Sequence, residues 1–235
     1  MKYQYILLLI LLTFSCRQKA VETTATMPAE PSVVETTQKV PIQETPPEIH
    51  YDYDTTQWFD LHDLDSTIYL ELRYATTNNF VKEVMYDCAR CFLRREVAKA
   101  VVIAHQDLKT QGYGGLIMYD CYRPRPIQWK LWGRFPDPNY VADPRKGSQH
   151  NRGGAVDLSI VDKNGKALDM GTDFDFFGEE AHQDYTGHSA EIQANRDLLK
   201  ATMSAQDFRW IRTEWWHYSY KPKTFEISDM LWSCE

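Results

Sequence analysis

The sequence predicts an α+β fold, a largely antiparallel sheet with flanking helices. Three observations lead there. Short apolar or alternating segments recur at 68–74, 116–119, 155–161, 208–211 and 215–220. Longer stretches at 90–111 and 189–205 repeat apolar residues at helical spacing and interrupt those strands in mixed order. Lys163-Asn164-Gly165-Lys166 is a hairpin turn, because Asn-Gly tolerates the positive φ that tight turns demand.

In chain order, the fold begins near Tyr51. Ile68, Leu70, Leu72 and Tyr74 alternate with polar residues, the period of a strand, and 75–80 reads as a loop. A helix over 90–111 places Leu93, Val97, Ala100, Val101, Ala104 and Leu108 on one face, and Gly112 stops it. The strand at 116–119 ends at Arg123-Pro124. The next helix holds Gln128, Trp129 and Trp132, ends at Pro136 and Pro138, and leaves a loop to Gly147. A strand at 155–161 enters the Asn-Gly turn. Ser189 caps a helix reaching Ala205, and 208–211 and 215–220 are the last strands. There is no internal repeat.

The first residues stand apart. Lys2 precedes an apolar run, YILLLILLTF, and then Ser15-Cys16, the pattern of a secretory signal. The run is too short to cross a hydrocarbon core of about 30 Å as a helix. A cut before cysteine resembles a lipoprotein signal, so residues 1–16 are expected to be a signal ending at a lipidated Cys16. Residues 17–50 are rich in Thr, Glu and Pro and lack glycine. Such a stretch buries too little surface to offset its ordering entropy, and is expected to be a disordered, extended tether. Residues 51–235 then form one domain, exported and held at a bacterial membrane through lipid alone. The formal net charge of -7 excludes nucleic acid as the main partner, since no basic stripe is present to neutralise phosphates. Cys88, Cys91, Cys121 and Cys234 allow three disulfide pairings, among which spacing does not choose.

The chain is organised around Gly147 to Asp157, GSQHNRGGAVD, and its distant partner, EWWH at 214–217. His150 and Asp157 bracket a glycine turn that leads into a strand, so a loop histidine and a strand aspartate can converge. Asp157 lies amid Ala155, Val156, Leu158 and Ile160, and a carboxylate in an apolar strand needs a partner such as a metal ion. Glu214 and His217, three apart, would face opposite sides of a regular strand. They reach one metal only if Glu214 sits before the strand or on a bulge. Two imidazoles, a carboxylate and a spare glutamate are what a catalytic zinc site requires. His182 and His188 read as loop residues, and His50, His62 and His105 as surface or packing residues.

Five blocks in order, LRYATTNNF, YDCYRP, SQHNRGGAVDLSI, MGTDFDFF and EWWHY, resemble the VanX-type D-alanyl-D-alanine dipeptidases, zinc enzymes of the wider D-Ala-D-Ala metallopeptidase family. The resemblance spans roughly residues 58 to 235. It implies one Zn2+ per chain on His150, Asp157 and His217. It implies Glu214 as catalytic base acting on metal-activated water, and Arg123 as the arginine that stabilises the oxyanion. It implies Tyr74, Ser148 and Asp175 as residues that hold the ends of the substrate dipeptide D-Ala-D-Ala. Two alternatives remain at this point: a D,D-carboxypeptidase that trims peptidoglycan stems, and a zinc-bearing binding module without catalysis, as in hedgehog-like domains.

Overall fold

The computed structural model describes residues 52–138 and 140–234. The expected signal (1–16) and tether (17–50) lie outside the described residues. The elements are β1 (Trp58–Asp60), α1 (Leu61–Leu64), β2 (Tyr69–Leu70), β3 (Phe92–Arg94), α2 (Arg95–Thr110), β4 (Gly115–Asp120), α3 (Arg125–Arg134), β5 (Ala155–Val161), α4 (Ala190–Ala205), β6 (Phe208–Ile211) and β7 (Glu214–Tyr220). Five strands form the main sheet in the order β2-β4-β5-β7-β6, and β1 pairs with β3 in a two-stranded ribbon. Every pairing is antiparallel except β2 with β4. This is the α+β architecture that the sequence predicts.

Two interior strands of the sheet, β4 and β5, are buried along their whole length. Helix α2 covers the sheet with Val97, Ala98, Val101, Ala104 and Leu108, all fully buried. At about 25 cal/mol per Å² of apolar surface, burying this helical stripe drives its docking. Gln111 ends the helix and Gly112 follows with φ 92°, the left-handed turn that glycine adopts without a Cβ clash. Helix α4 starts where Ser189 accepts a hydrogen bond from the Ile192 N–H.

Three of the differences from expectation have a visible cause. The strand expected at 68–74 is confined to β2, because Arg73–Ala75 close a 3-10 turn in which the Ala75 N–H donates to Leu72 O. The alternating pattern arises because Leu72 and Tyr74 pack into the core while Arg73 is buried over the Tyr119 ring. The helix expected from residue 90 begins at Arg95. Cys91 is tied to Cys121, and Phe92–Arg94 pair with β1 instead. The last strand starts one residue early, at Glu214, for a reason that bears on the site.

Candidate metal centre

Strand pairing builds the centre. Asp157 of β5 and His217 of β7 are direct register partners, so their side chains rise side by side from the same face. His217 Nδ1 lies 2.9 Å from Asp157 Oδ1. His150 arrives from a 3-10 turn at His150–Arg152, just before β5. The turn ends at Gly153, with φ 66°, where a Cβ would strike the Trp58 ring. Only glycine fits there, and it aims His150 back over the sheet. His150 Nε2 comes within 3.1 Å of His217 Nδ1 and 3.3 Å of Asp157 Oδ1. One donor atom from each of the three residues lies within 4.8 Å of the others, and among the described residues this is the group of side chains that could hold a metal ion.

The donor set fits zinc. His150 Nδ1 donates to the Cys121 carbonyl at 2.8 Å, so a neutral ring turns its Nε2 lone pair toward Asp157. Two acceptors facing each other inside a protein call for a shared cation. The same electrostatics appear in the protonation equilibria. Burial would raise the Asp157 pKa, but the two imidazoles hold it well below the usual carboxylate range. Burial would lower that of His150, but Asp157 raises it. His217 Nε2 meets Ser219 Oγ at 3.0 Å, which anchors the ring from behind.

Glu214 reaches the same place through an irregularity. The β6–β7 register shifts between Trp210 and Ile211, so that Trp210 faces Tyr218 while Ile211 faces Glu214. That bulge breaks the strict alternation and leaves Glu214 Oε2 3.9 Å from His217 Nδ1. Burial pushes the Glu214 carboxyl up to about 7. Trp215 and Trp216 are both buried beside it, and Trp215 Nε1 donates to Thr172 Oγ1.

Arg123 lies on the other wall, buried, with Nε and Nη2 both donating to Asp120 Oδ2 and Nη1 to Gln128 Oε1. The Tyr86 hydroxyl donates to the remaining oxygen of Asp120. The Arg123 N–H donates to His150 O, and Asn151 Nδ2 donates to Arg123 O, so two hydrogen bonds tie the arginine segment to the histidine turn. Tyr74 lies under the guanidinium, with its ring centroid 4.9 Å away, and its hydroxyl donates to Asp175 Oδ2. Asp175 is a non-glycine residue at φ 59°. Burial, then the nearby charge of Asp157, push its carboxyl up to about 8. Ser148 precedes the histidine turn and is tied to it, its N–H donating to Asn151 Oδ1 and its Oγ accepting from the Asn151 N–H. All eight residues singled out in the sequence line one cavity of about 300 Å³.

A family model described as D-Ala-D-Ala dipeptidase, peptidase M15, matches residues 54–230. The chain belongs to the peptidase M15 family. It is 38% identical over 165 residues to the D-alanyl-D-alanine dipeptidase of Escherichia coli K12, covering 70% of this chain and 85% of that protein. It is 30% identical to the dipeptidase of the same name from Enterococcus faecalis, over 63% of this chain and 83% of the relative. The Streptomyces coelicolor dipeptidase is also 30% identical, over 68% and 89%. M15 dipeptidases are zinc enzymes, and the His150, Asp157 and His217 cluster of this M15 chain is suited to that metal.

The sequence reading missed the residues that hold these groups in place. Asp120 and Tyr86 position Arg123, and Ser219 anchors His217. Arg196, almost fully buried in α4, donates to Met170 O, His182 O and Glu180 O and so fixes the loop carrying Asp175. A signal existed for Asp120, which sits three residues before Arg123 within YDCYRP. Nothing local marked Arg196, because its partners lie up to 26 residues away.

Proposed function

We propose that this protein is a zinc-dependent D-alanyl-D-alanine dipeptidase that splits the dipeptide into two D-alanines. The observation that carries the reading is the register pairing of Asp157 with His217 beneath His150, with Glu214 and Arg123 brought into the same cavity. His150, Asp157 and His217 hold the zinc, which when bound supplies a Lewis acid that lowers the pKa of water and polarises the peptide carbonyl. Glu214 accepts the proton of the attacking water at its carboxylate and delivers it to the leaving amine nitrogen. Arg123 keeps a fixed positive charge beside the carbonyl oxygen as that oxygen becomes negative. Asp175, held by Tyr74, pairs with the substrate ammonium, and Ser148 donates to the carboxylate at the other end. Recognising both charged ends favours a free dipeptide over a longer stem, and the family match points the same way.

The test is D-alanine release from D-Ala-D-Ala by the zinc-loaded protein, with and without chelator. Glu214→Ala is expected to keep one zinc per chain and lose at least about 10²-fold in kcat. His217→Ala is expected to lose the zinc as well. Near-normal turnover by the glutamate variant would sink this mechanism, and full zinc occupancy in the histidine variant would remove His217 from the ligand set.

We also infer that the protein is exported and anchored by lipid on Cys16. The N-terminal pattern supports this, as does the pairing of all four cysteines of the domain into two disulfides, a state that persists in oxidising compartments. No helix among the described residues is long and apolar enough to cross a membrane. Cys16→Ala is expected to move the protein from the membrane fraction to the soluble exported fraction. Unchanged membrane association in that variant would refute lipidation at Cys16.

A further inference from the structure

The cleft does not end at Asp175. Asp175, Glu214, Trp216 and Tyr140 line the cavity of the metal group and also a second cavity of about 340 Å³ that adjoins it. Ser148 lines only the first. The second cavity is therefore continuous with the end of the cleft marked by Asp175.

Its walls are aromatic. Phe176, Phe177 and Tyr140 line it and remain 44%, 37% and 47% exposed. Three large aromatic side chains left open around one concavity form a surface suited to an apolar ligand. The wall is packed on one side. Phe177 stacks on Phe135 at 5.6 Å between centroids and lies 4.4 Å from Tyr140 and 5.1 Å from Phe80. Phe176 folds over Gly178, where a Cβ would come within 2.5 Å of its ring. The cation of this cavity, Arg212, is engaged by His182 at 3.2 Å and Asp184 at 3.5 Å.

We propose that this second cavity is the subsite for the side chain of the substrate's amino-terminal residue, and that the protein also hydrolyses D-Xaa-D-Ala dipeptides in which Xaa is aromatic or large and apolar. The proposal rests on the orientation given above, with the ammonium at Asp175 and the carboxylate toward Ser148. In that orientation the side chain nearest the second cavity is that of the first residue. The methyl of alanine leaves the aromatic walls without a partner, whereas a phenyl ring packs against them. A chain extended through the amino nitrogen has no ammonium, and forfeits the pairing with Asp175. The cavity thus suits a longer side chain and not a longer peptide. The reaction needs no further reagent: one water adds across the peptide C–N bond, its hydroxyl to the carbonyl carbon and its proton to the amine, releasing D-phenylalanine and D-alanine from D-Phe-D-Ala.

The experiment compares kcat/KM for D-Phe-D-Ala and D-Ala-D-Ala, using the full-length zinc-loaded protein. Both are expected to be cleaved. Phe176→Ala, which removes an exposed wall, is expected to lower the ratio of D-Phe-D-Ala to D-Ala-D-Ala by about tenfold. Glu179→Trp, which places bulk in the second cavity alone, is expected to lower the same ratio at least as far. Cleavage of D-Ala-D-Ala without D-Phe-D-Ala overturns the subsite and leaves the dipeptidase reading standing, as does a ratio unmoved in both variants. Failure to cleave either dipeptide overturns the dipeptidase reading itself, and the subsite with it.

Discussion

His105 is a buried titratable group that takes no part in the cleft. The Leu116 N–H donates to its Nδ1 at 3.0 Å, and its Nε2 lies 2.9 Å from Thr67 Oγ1. A ring that accepts at Nδ1 is neutral and carries its proton on Nε2. Burial lowers its pKa from the ordinary 6.5. The unfolded chain therefore binds a proton more readily than the folded one, so the stabilisation is complete above about pH 6.5 and is lost as pH falls through the folded value. Chemical denaturation between pH 7.5 and 5 is expected to show wild type weakening faster than His105→Gln. Parallel pH profiles would show that His105 does not titrate with folding. Gly115 packs against the ring so closely that a Cβ would overlap it, so the histidine and the glycine specify each other.

At the scale of elements, the Cys91–Cys121 disulfide joins the residue that precedes β3 to the residue that follows β4. Both cysteines are buried. Cys121 also offers the carbonyl that fixes the His150 ring, so the crosslink reaches the metal group through one hydrogen bond. Groups that orient a metal ligand in this way are worth about 10- to 100-fold in affinity. The double variant Cys91→Ser/Cys121→Ser is expected to lose about 2–4 kcal/mol of stability and to bind zinc about tenfold more weakly. Denaturant titration and competition with a zinc chelator measure the two effects. Unchanged zinc affinity in a destabilised variant would limit the disulfide to a structural role.

Across the whole molecule, the Cys88–Cys234 disulfide closes a loop of sequence separation 146. It secures a C-terminal segment that runs back over the ribbon. Trp232 lies 5.2 Å from Phe92 and 5.5 Å from Tyr86, the residue that donates to Asp120, and the Tyr122 hydroxyl donates to Met230 O. The last residues of the chain are thus coupled, by contact, to the network that holds Arg123. Cys234 is exposed and Cys88 half-buried, whereas Cys91 and Cys121 are enclosed. Stepwise reduction with alkylation and mass spectrometry is expected to label Cys88 and Cys234 first. Earlier labelling of Cys91 and Cys121 would contradict this order. Opening the outer crosslink is expected to cost about 2–5 kcal/mol, read as a shift in the denaturation midpoint.

The sequence by itself determined the fold class, the core strands, the two long helices and the convergence of His150, Asp157, Glu214 and His217, while Arg123, Tyr74, Ser148 and Asp175 were named through the family resemblance. These were legible because apolar periodicity is local, and because GSQHNRGGAVD and EWWH pack uncommon chemistry into a few residues. That Glu214 must sit either before the strand or on a bulge was also legible, since regular alternation forbids it and His217 one face, and the structure chose the bulge. Only the tertiary structure decided the rest. It chose one cysteine pairing out of three, turned Tyr74 from a strand residue into part of a 3-10 turn beneath Arg123, and supplied Asp120, Tyr86, Ser219 and Arg196 as supports. It also opened the aromatic cavity beyond Asp175, whose walls come from Tyr140, from residues 175–179 and from Arg212, Thr213, Glu214 and Trp216. The physical reason is the same in each case. A hydrogen bond or ring contact between distant segments depends on how the chain closes on itself, and local periodicity carries no record of that closure.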